Sequence, residues 1–225
     1  TQKKRKVVTF GGLQSNHVCM TAATCAKLGL EAHLFFFNPR PSELTGNLLL
    51  NQIFGAKMHF IPFGGGTSKS LTLEATNRLV RLVSIAFTGR SSYFMPVGGH
   101  STTGCYGYVE AACEIYEQIL ELGLAPAQTT IVTAAGTGGT LAGLIAGLAL
   151  LGSPLHVLGI DIGKLWKGFP ESIARLATSL CANLGSKVEF SASDIPLIEN
   201  TYAGQAYAQP TTQGTQASQL IAQTE

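Results

Sequence analysis

The sequence predicts an α/β protein made of two parallel-sheet domains, and three observations carry that reading. Apolar, β-rich runs alternate with helical patterns over short connectors, as strands do when crossover helices bring them back parallel. One run, 128–134, is apolar and β-branched almost throughout, as expected of a strand covered on both faces. Two glycine turns, at 11–12 and 136–139, each fall between a strand and a helix, where the backbone must turn tightly or approach another segment closely.

In chain order, Val7–Phe10 is a short buried strand, and Gly11-Gly12 turns it into an Ala-rich helix that Ser15 or Asn16 can cap and Gly29 stops. Residues 31–37 (EAHLFFF) form the next strand, closed by Asn38-Pro39-Arg40-Pro41. Thr45-Gly46-Asn47 opens a helix through Gln52, ended by Gly55, and 57–62 returns as a strand. Gly64–Gly66 reads as a flexible loop, and 70–86 as an amphipathic helix with leucines at 71, 73, 79 and 82. Residues 92–97 give another strand. The polar, glycine-rich stretch from Ser101 to Gly107 reads as a turn before a helix over 108–122. Pro126 begins a linker to the 128–134 strand. After Gly136–Thr140 come a small-residue helix, a strand at 156–162 and a helix over 170–184; periodicity fades around 200–212, and Thr212 starts a last helix.

Bulk properties narrow the function classes. In 225 residues, 45% apolar content with only 12% charge and 26 glycines describes a folded, glycine-punctuated chain rather than a disordered one. Net charge is +2, and the lone basic run, Lys3–Lys6, has no interleaved aromatics; it reads as solvated, so no nucleic-acid partner is expected. Five unclustered cysteines without a CxxC pair read as thiols in a reducing compartment, not as disulfides or a zinc site, and none of the five histidines pairs at metal spacing. Residues 131–151 carry no charge and hold glycines at GxxxG spacing. The Gly136–Thr140 loop would break a spanning helix there, so no membrane partner is expected.

Chemistry concentrates at the two strand-to-helix turns. The helix after Gly12 presents free N–H groups and positive dipole, with Gln14, Ser15 and Asn16 at its lip, where one cap needs only one oxygen. Gly136-Thr137-Gly138-Gly139-Thr140 offers backbone N–H groups, two hydroxyls and another helix start, a setting that holds a phosphate. It is neither a P-loop, lacking Gly-Lys-Ser/Thr, nor a dinucleotide fingerprint, since Leu141 stands where a third glycine belongs.

The GGLQSNH motif with its TAA helix resembles the 1-aminocyclopropane-1-carboxylate deaminase and D-cysteine desulfhydrase family, pyridoxal-phosphate enzymes of fold type II. The similarity continues through Glu43–Leu50, Pro96–Gly99, Gly107–Val109, Gly136–Thr140, Tyr202 and Pro210-Thr211, nearly the whole chain. The resemblance implies pyridoxal 5′-phosphate as cofactor, its phosphate gripped by Gly136, Thr137, Gly138, Gly139 and Thr140. Asn16 would serve the cofactor ring oxygen or its Schiff base. Gln14, Ser15, Asn16 and His17 would face a small amino-acid substrate, and Ser15 and Tyr202 would act as catalytic groups. It also implies a cytoplasmic homodimer.

Residues 1–103 would form the smaller domain, and 104–225 part of a larger cofactor-binding one. The family's Schiff-base lysine and its ring-stacking tyrosine have no counterpart in this stretch, so the chain reads as an internal fragment, truncated at both ends and forming no lysine adduct alone. Cys19 and Gln213 depart from the arginine and glutamate common in relatives. The two turns are expected to line one crevice, and an apolar patch is expected beside the 141–151 helix or the last helix. The reading from another class is a non-catalytic module holding a phosphate-bearing ligand at Gly136–Thr140.

Overall fold

In a computed structural model of the chain, strand β1 (Lys6–Phe10) is buried from Val7 through Phe10 and pairs with strands on both edges. The structure describes residues 4–62, 71–199, 201–204 and 209–224; the Gly64–Gly66 loop, Ser70 and Asn200 lie outside them. Helix α1 (Asn16–Leu28) is capped by Ser15 and ends at Gly29 in the left-handed conformation (φ 64°). Strand β2 (Glu31–Phe36), helix α2 (Gly46–Ile53), strand β3 (Lys57–Phe60), helix α3 (Leu73–Thr88) and strand β4 (Tyr93–Phe94) follow. The sheet runs β3-β2-β1-β4, all parallel. Helix α4 (Thr102–Glu121) leads to β5 (Thr130–Ala135), α5 (Gly139–Leu151), β6 (His156–Asp161), α6 (Phe169–Asn183), β7 (Leu197–Ile198) and α7 (Thr212–Thr224). The second sheet is also parallel, in the order β5-β6-β7. The described residues fall into two compact units, divided after Gly107 within α4. No helix among them is long and apolar enough to cross a membrane, and all five cysteines are free.

Three elements correct the sequence expectations. Helix α4 starts at Thr102, so Ser101–Gly107 is not a turn before it. Ser101 accepts from the Gly104 amide at 3.1 Å, and a Cβ on Gly104 would run into the Gly99 carbonyl. The glycine there allows one segment to lie on another. Of the four leucines only Leu73 is buried; Leu71 lies ahead of α3, and Leu79 and Leu82 on it are exposed. Val80, Ser84 and Thr88 take the inner stripe instead. The two hydroxyls are tolerated because they donate to the Arg81 and Ser84 carbonyls, both at 2.8 Å. Strand β5 alternates in exposure rather than being covered on both faces, and Val132 is 63% exposed. Among the described residues it pairs with β6, and its outward row is Thr130, Val132 and Ala134. Leu220 and Ile221 on α7 are exposed as well. Helix α5 itself is buried from Gly139 through Leu148 save Thr140, as its all-round apolar sequence requires.

Helices α1 and α2 pack on the first sheet through Val18, Ala22, Cys25 and Leu48 against Val7, Ala32, Leu34 and Phe36. One residue in this unit is out of character. Asn51 on α2 is fully buried, and neither its Oδ1 nor its Nδ2 has a hydrogen-bond partner among the described residues. Each such orphaned group costs about 1–3 kcal/mol. Asn51→Leu, close in shape, is therefore expected to stabilise the first unit by about 1–2 kcal/mol. A urea midpoint that rises at unchanged slope supports this; an unchanged or lower midpoint sinks it.

Candidate functional site

The first strand-to-helix turn uses each of its polar side chains differently. Gly11 must be glycine because a Cβ would lie 2.7 Å from Val18 Cγ2 and 2.9 Å from Ser15, so closely does α1 return over the turn. Ser15 Oγ accepts from the Val18 amide at 3.4 Å. Gln14 reaches across to α2: its Oε1 accepts from the Asn47 amide at 2.8 Å and its Nε2 donates to the Thr45 carbonyl at 3.0 Å. It thereby caps α2 from outside, where Thr45 makes no side-chain cap. Gly46, at φ 54°, leaves the room, since a Cβ there would lie 2.5 Å from Gln14 Oε1. Asn47 Nδ2 donates to the Gln14 carbonyl at 2.9 Å and to Asn16 Oδ1 at 2.8 Å. Asn16 is exposed, and no described residue accepts from its Nδ2.

His17 points the other way, into the unit. Its Nε2 is 2.7 Å from Thr9 Oγ1, and that hydroxyl donates its single proton to the Met95 carbonyl at 3.0 Å. Thr9 must therefore accept, which makes Nε2 the protonated nitrogen of the ring. Burial lowers the His17 pKa to about 4, so the ring is neutral at pH 7.

The second turn joins β5 to α5. Gly138 is the α5 N-cap in the left-handed conformation (φ 77°) and offers no side-chain oxygen, so no side chain caps the N–H groups of the first turn. A Cβ on Gly138 would collide with Ile173 and crowd Phe169 of α6 at 3.2 Å. The loop is tied from β6: Trp166 Nε1 donates to the Gly136 carbonyl at 2.7 Å. Asp161 Oδ1 accepts from the Gly163 and Lys164 amides at 3.0 and 3.1 Å, shaping the turn that delivers Trp166. Tyr202 is exposed and lines a cleft of about 350 Å³ with Ile162, Thr211 and the start of α7. Ile162 also borders the loop, its Cδ1 lying 3.8 Å from where a Gly136 Cβ would stand. The first unit thus gathers Gln14, Ser15, Asn16 and His17; the second gathers Gly136–Thr140 with Tyr202. Asn47, Thr9 and Trp166 were not among the residues picked from sequence. The glycine before Asn47, at the mouth of a helix, was the one signal that could have drawn attention to it.

Residues 1–225 match the sequence profile described as pyridoxal-phosphate dependent enzyme. The chain belongs to that family. It is 33% identical to a D-cysteine desulfhydrase of Salmonella choleraesuis, over 97% of this chain and 64% of that protein. A Pyrococcus furiosus protein provisionally named 1-aminocyclopropane-1-carboxylate deaminase is 34% identical over 83% of this chain and 54% of its own length. Among solved structures, an ACC deaminase homologue superposes with a TM-score of 0.79 at 29% identity, covering 99% of this chain and 63% of that one. The chain therefore spans between about half and two thirds of the length of these relatives. The fold is the two-sheet parallel α/β fold type II of such enzymes.

The residues present fit the cofactor chemically. An uncapped helix start behind a left-handed glycine suits a phosphate dianion. The unpartnered Asn16 amide nitrogen suits an anionic ring oxygen.

Proposed function

We propose that the protein is a pyridoxal-phosphate-dependent desulfhydrase acting on a small amino acid, D-cysteine in the first instance, taking up water and releasing sulfide, ammonia and a 2-oxo acid. The observation that supports this reading most is the QSN turn itself. It presents an unsatisfied amide donor at a helix start, in a chain aligned over 97% of its length with a D-cysteine desulfhydrase. The N–H groups at the start of α5, with the Thr137 and Thr140 hydroxyls, would hold the cofactor phosphate, and Asn16 Nδ2 would donate to the ring oxygen. When bound, pyridoxal phosphate supplies an electron sink for negative charge developing at the substrate α-carbon. Ser15 Oγ accepts one bond from the Val18 amide and keeps its own proton to give or exchange at the substrate. The Tyr202 phenol, which lines a cleft with Ile162 and Thr211, would meet the substrate. Neutral His17 orients the turn from behind through Thr9. A cytoplasmic homodimer accompanies this reading and is checked by sizing and cell fractionation.

A second reading, 1-aminocyclopropane-1-carboxylate deamination, is favoured by the solved homologue named for it. Incubating the holoprotein with each amino acid separates the two: sulfide release from D-cysteine supports the first, and 2-oxo acid from the cyclopropane substrate alone replaces it with the second. In a version of the protein that carries a lysine able to form the cofactor adduct, cofactor binding with neither product would point to the non-catalytic phosphate-ligand module. Asn16→Ala is expected to weaken pyridoxal-phosphate binding about tenfold or more, because a charge-assisted hydrogen bond is lost. Equal affinity in a fluorescence titration would remove Asn16 from the cofactor site.

A further inference from the structure

An exposed asparagine can offer either end of its amide, and nothing in its own backbone decides which. Here the decision is made by a chain of contacts that begins on groups whose roles are fixed. The Asn47 amide N–H can only donate and the Thr45 carbonyl can only accept, so Gln14 has one permitted orientation, Oε1 toward the first and Nε2 toward the second. The Gln14 carbonyl can only accept, so Asn47 must turn its Nδ2 toward it, at 2.9 Å. The same Nδ2 then donates its second proton at 2.8 Å to Asn16, which is obliged to receive it with Oδ1. The Asn16 Nδ2, with both protons, is left on the outer side, and no described residue accepts from it.

We infer that Asn47 is a positioning residue: it locks the Asn16 amide so that a donor, never an acceptor, faces the cofactor ring oxygen. This rests on the reading that Asn16 meets pyridoxal phosphate. A donor there favours the ionised form of the ring hydroxyl, and a carbonyl in its place would repel it. Gln14 has the matching duty one step back: it holds the start of α2, and with it Asn47, against α1. The Thr45-Gly46-Asn47 stretch and the Gln14-Ser15-Asn16 stretch are thus two halves of one device. Gly46 allows the close approach that joins them, because any side chain there would strike Gln14 Oε1.

Asn47→Asp replaces the two donors with acceptors while keeping the backbone N–H that Gln14 caps. Asn16 then satisfies the new carboxylate with its Nδ2 and turns Oδ1 outward. Asn47→Ala only releases the lock. In the holoprotein, the spectrum of bound pyridoxal 5′-phosphate followed against pH reads the ionisation of the ring hydroxyl, and titration with pyridoxal 5′-phosphate reads its affinity. Asn47→Asp is expected to bind at least about tenfold more weakly and to titrate about one pH unit higher. Asn47→Ala is expected to show a smaller shift in the same direction, and it decides the matter if Asn47→Asp does not melt cooperatively. The Asn47→Ala effect should vanish in an Asn16→Ala background, because Asn47 acts through Asn16, whereas Asn47→Asp keeps there only what its charge does directly. Asn47 variants that titrate like the parent while Asn16→Ala does not would overturn the lock alone. So would an Asn47→Ala effect that adds to that of Asn16→Ala. An Asn16→Ala protein that binds and titrates like the parent would overturn the cofactor reading, and this proposal with it.

Discussion

Gly138→Ala is expected to destabilise the second unit by about 2–5 kcal/mol and to distort the proposed phosphate grip at the start of α5. Two penalties combine. A left-handed residue with a Cβ costs about 1–2 kcal/mol, and Gly138 has φ 77°. The added methyl would also lie 2.7 Å from Ile173 Cδ1 and still closer to Cγ1. Relieving such crowding in a packed interior costs about 1–3 kcal/mol more. Ile173 is fully buried on α6, so it cannot swing away, and the force falls on the packing of α5 against α6. Gly152→Ala is the control. Gly152 is also left-handed, at φ 61°, but has nothing within 4 Å of its Cβ position. That variant should lose only the backbone part. Urea unfolding of the two variants isolates the packing term as their difference, and a Gly138→Ala protein no less stable than Gly152→Ala would remove it.

The first unit is expected to lose stability as pH falls from about 6.5 to about 4, with His17 as a principal cause. Its pKa in the folded protein is about 4, below the ordinary 6.5, because burial disfavours the charged ring. Between those values the unfolded chain binds a proton that the folded one does not, so protonation favours unfolding. The contribution of the neutral ring is complete above pH 6.5 and lost on descending through pH 4. At 1.36 kcal/mol per pH unit it amounts to at most about 3 kcal/mol. His59, also lowered by burial, adds to the same trend. His17→Gln keeps a donor for Thr9 without the titration, so its stability should be visibly flatter over that range. Parallel pH profiles for parent and variant would exclude His17 as the source. Glu31 acts lower on the scale: hydrogen bonds from His33 and Lys57 hold its carboxyl at about 2, so its contribution begins to fail only below about pH 4.5.

Much of the architecture was legible because it is written in local terms. Strand β1 is an apolar and β-branched run, β2 carries Leu34-Phe35-Phe36, and Gly29 ends α1 as a left-handed cap. Such signals depend on residues within one turn of each other. The Gly136–Thr140 loop was read in the same way, from a strand before it and an apolar helix after it. The errors fall where distant packing outweighs local pattern. Leu79 and Leu82 read as a buried stripe, yet Ser84 and Thr88 take the inner face once their hydroxyls find helix carbonyls. The Ser101–Gly107 glycines read as a turn, yet Gly104 is helical and small because the Gly99 carbonyl lies against it. Val132 read as covered on both sides, yet among the described residues nothing covers the face of β5 that Thr130, Val132 and Ala134 share.

The sequence by itself determined the parallel α/β class, the two strand-to-helix turns and the residue types at their lips, because composition, period and glycine placement act within a few residues. It also carried the family likeness, since ordered motifs survive without their three-dimensional setting. Only the tertiary structure decided what each of those lip residues does. Gln14 caps a helix thirty-odd positions away, His17 turns inward to Thr9 and stays neutral, and Asn16 receives its orientation from Asn47. A side-chain amide or imidazole has two chemically opposite ends, and which end faces outward depends on donors and acceptors brought in by other elements. No local pattern in the chain encodes that choice.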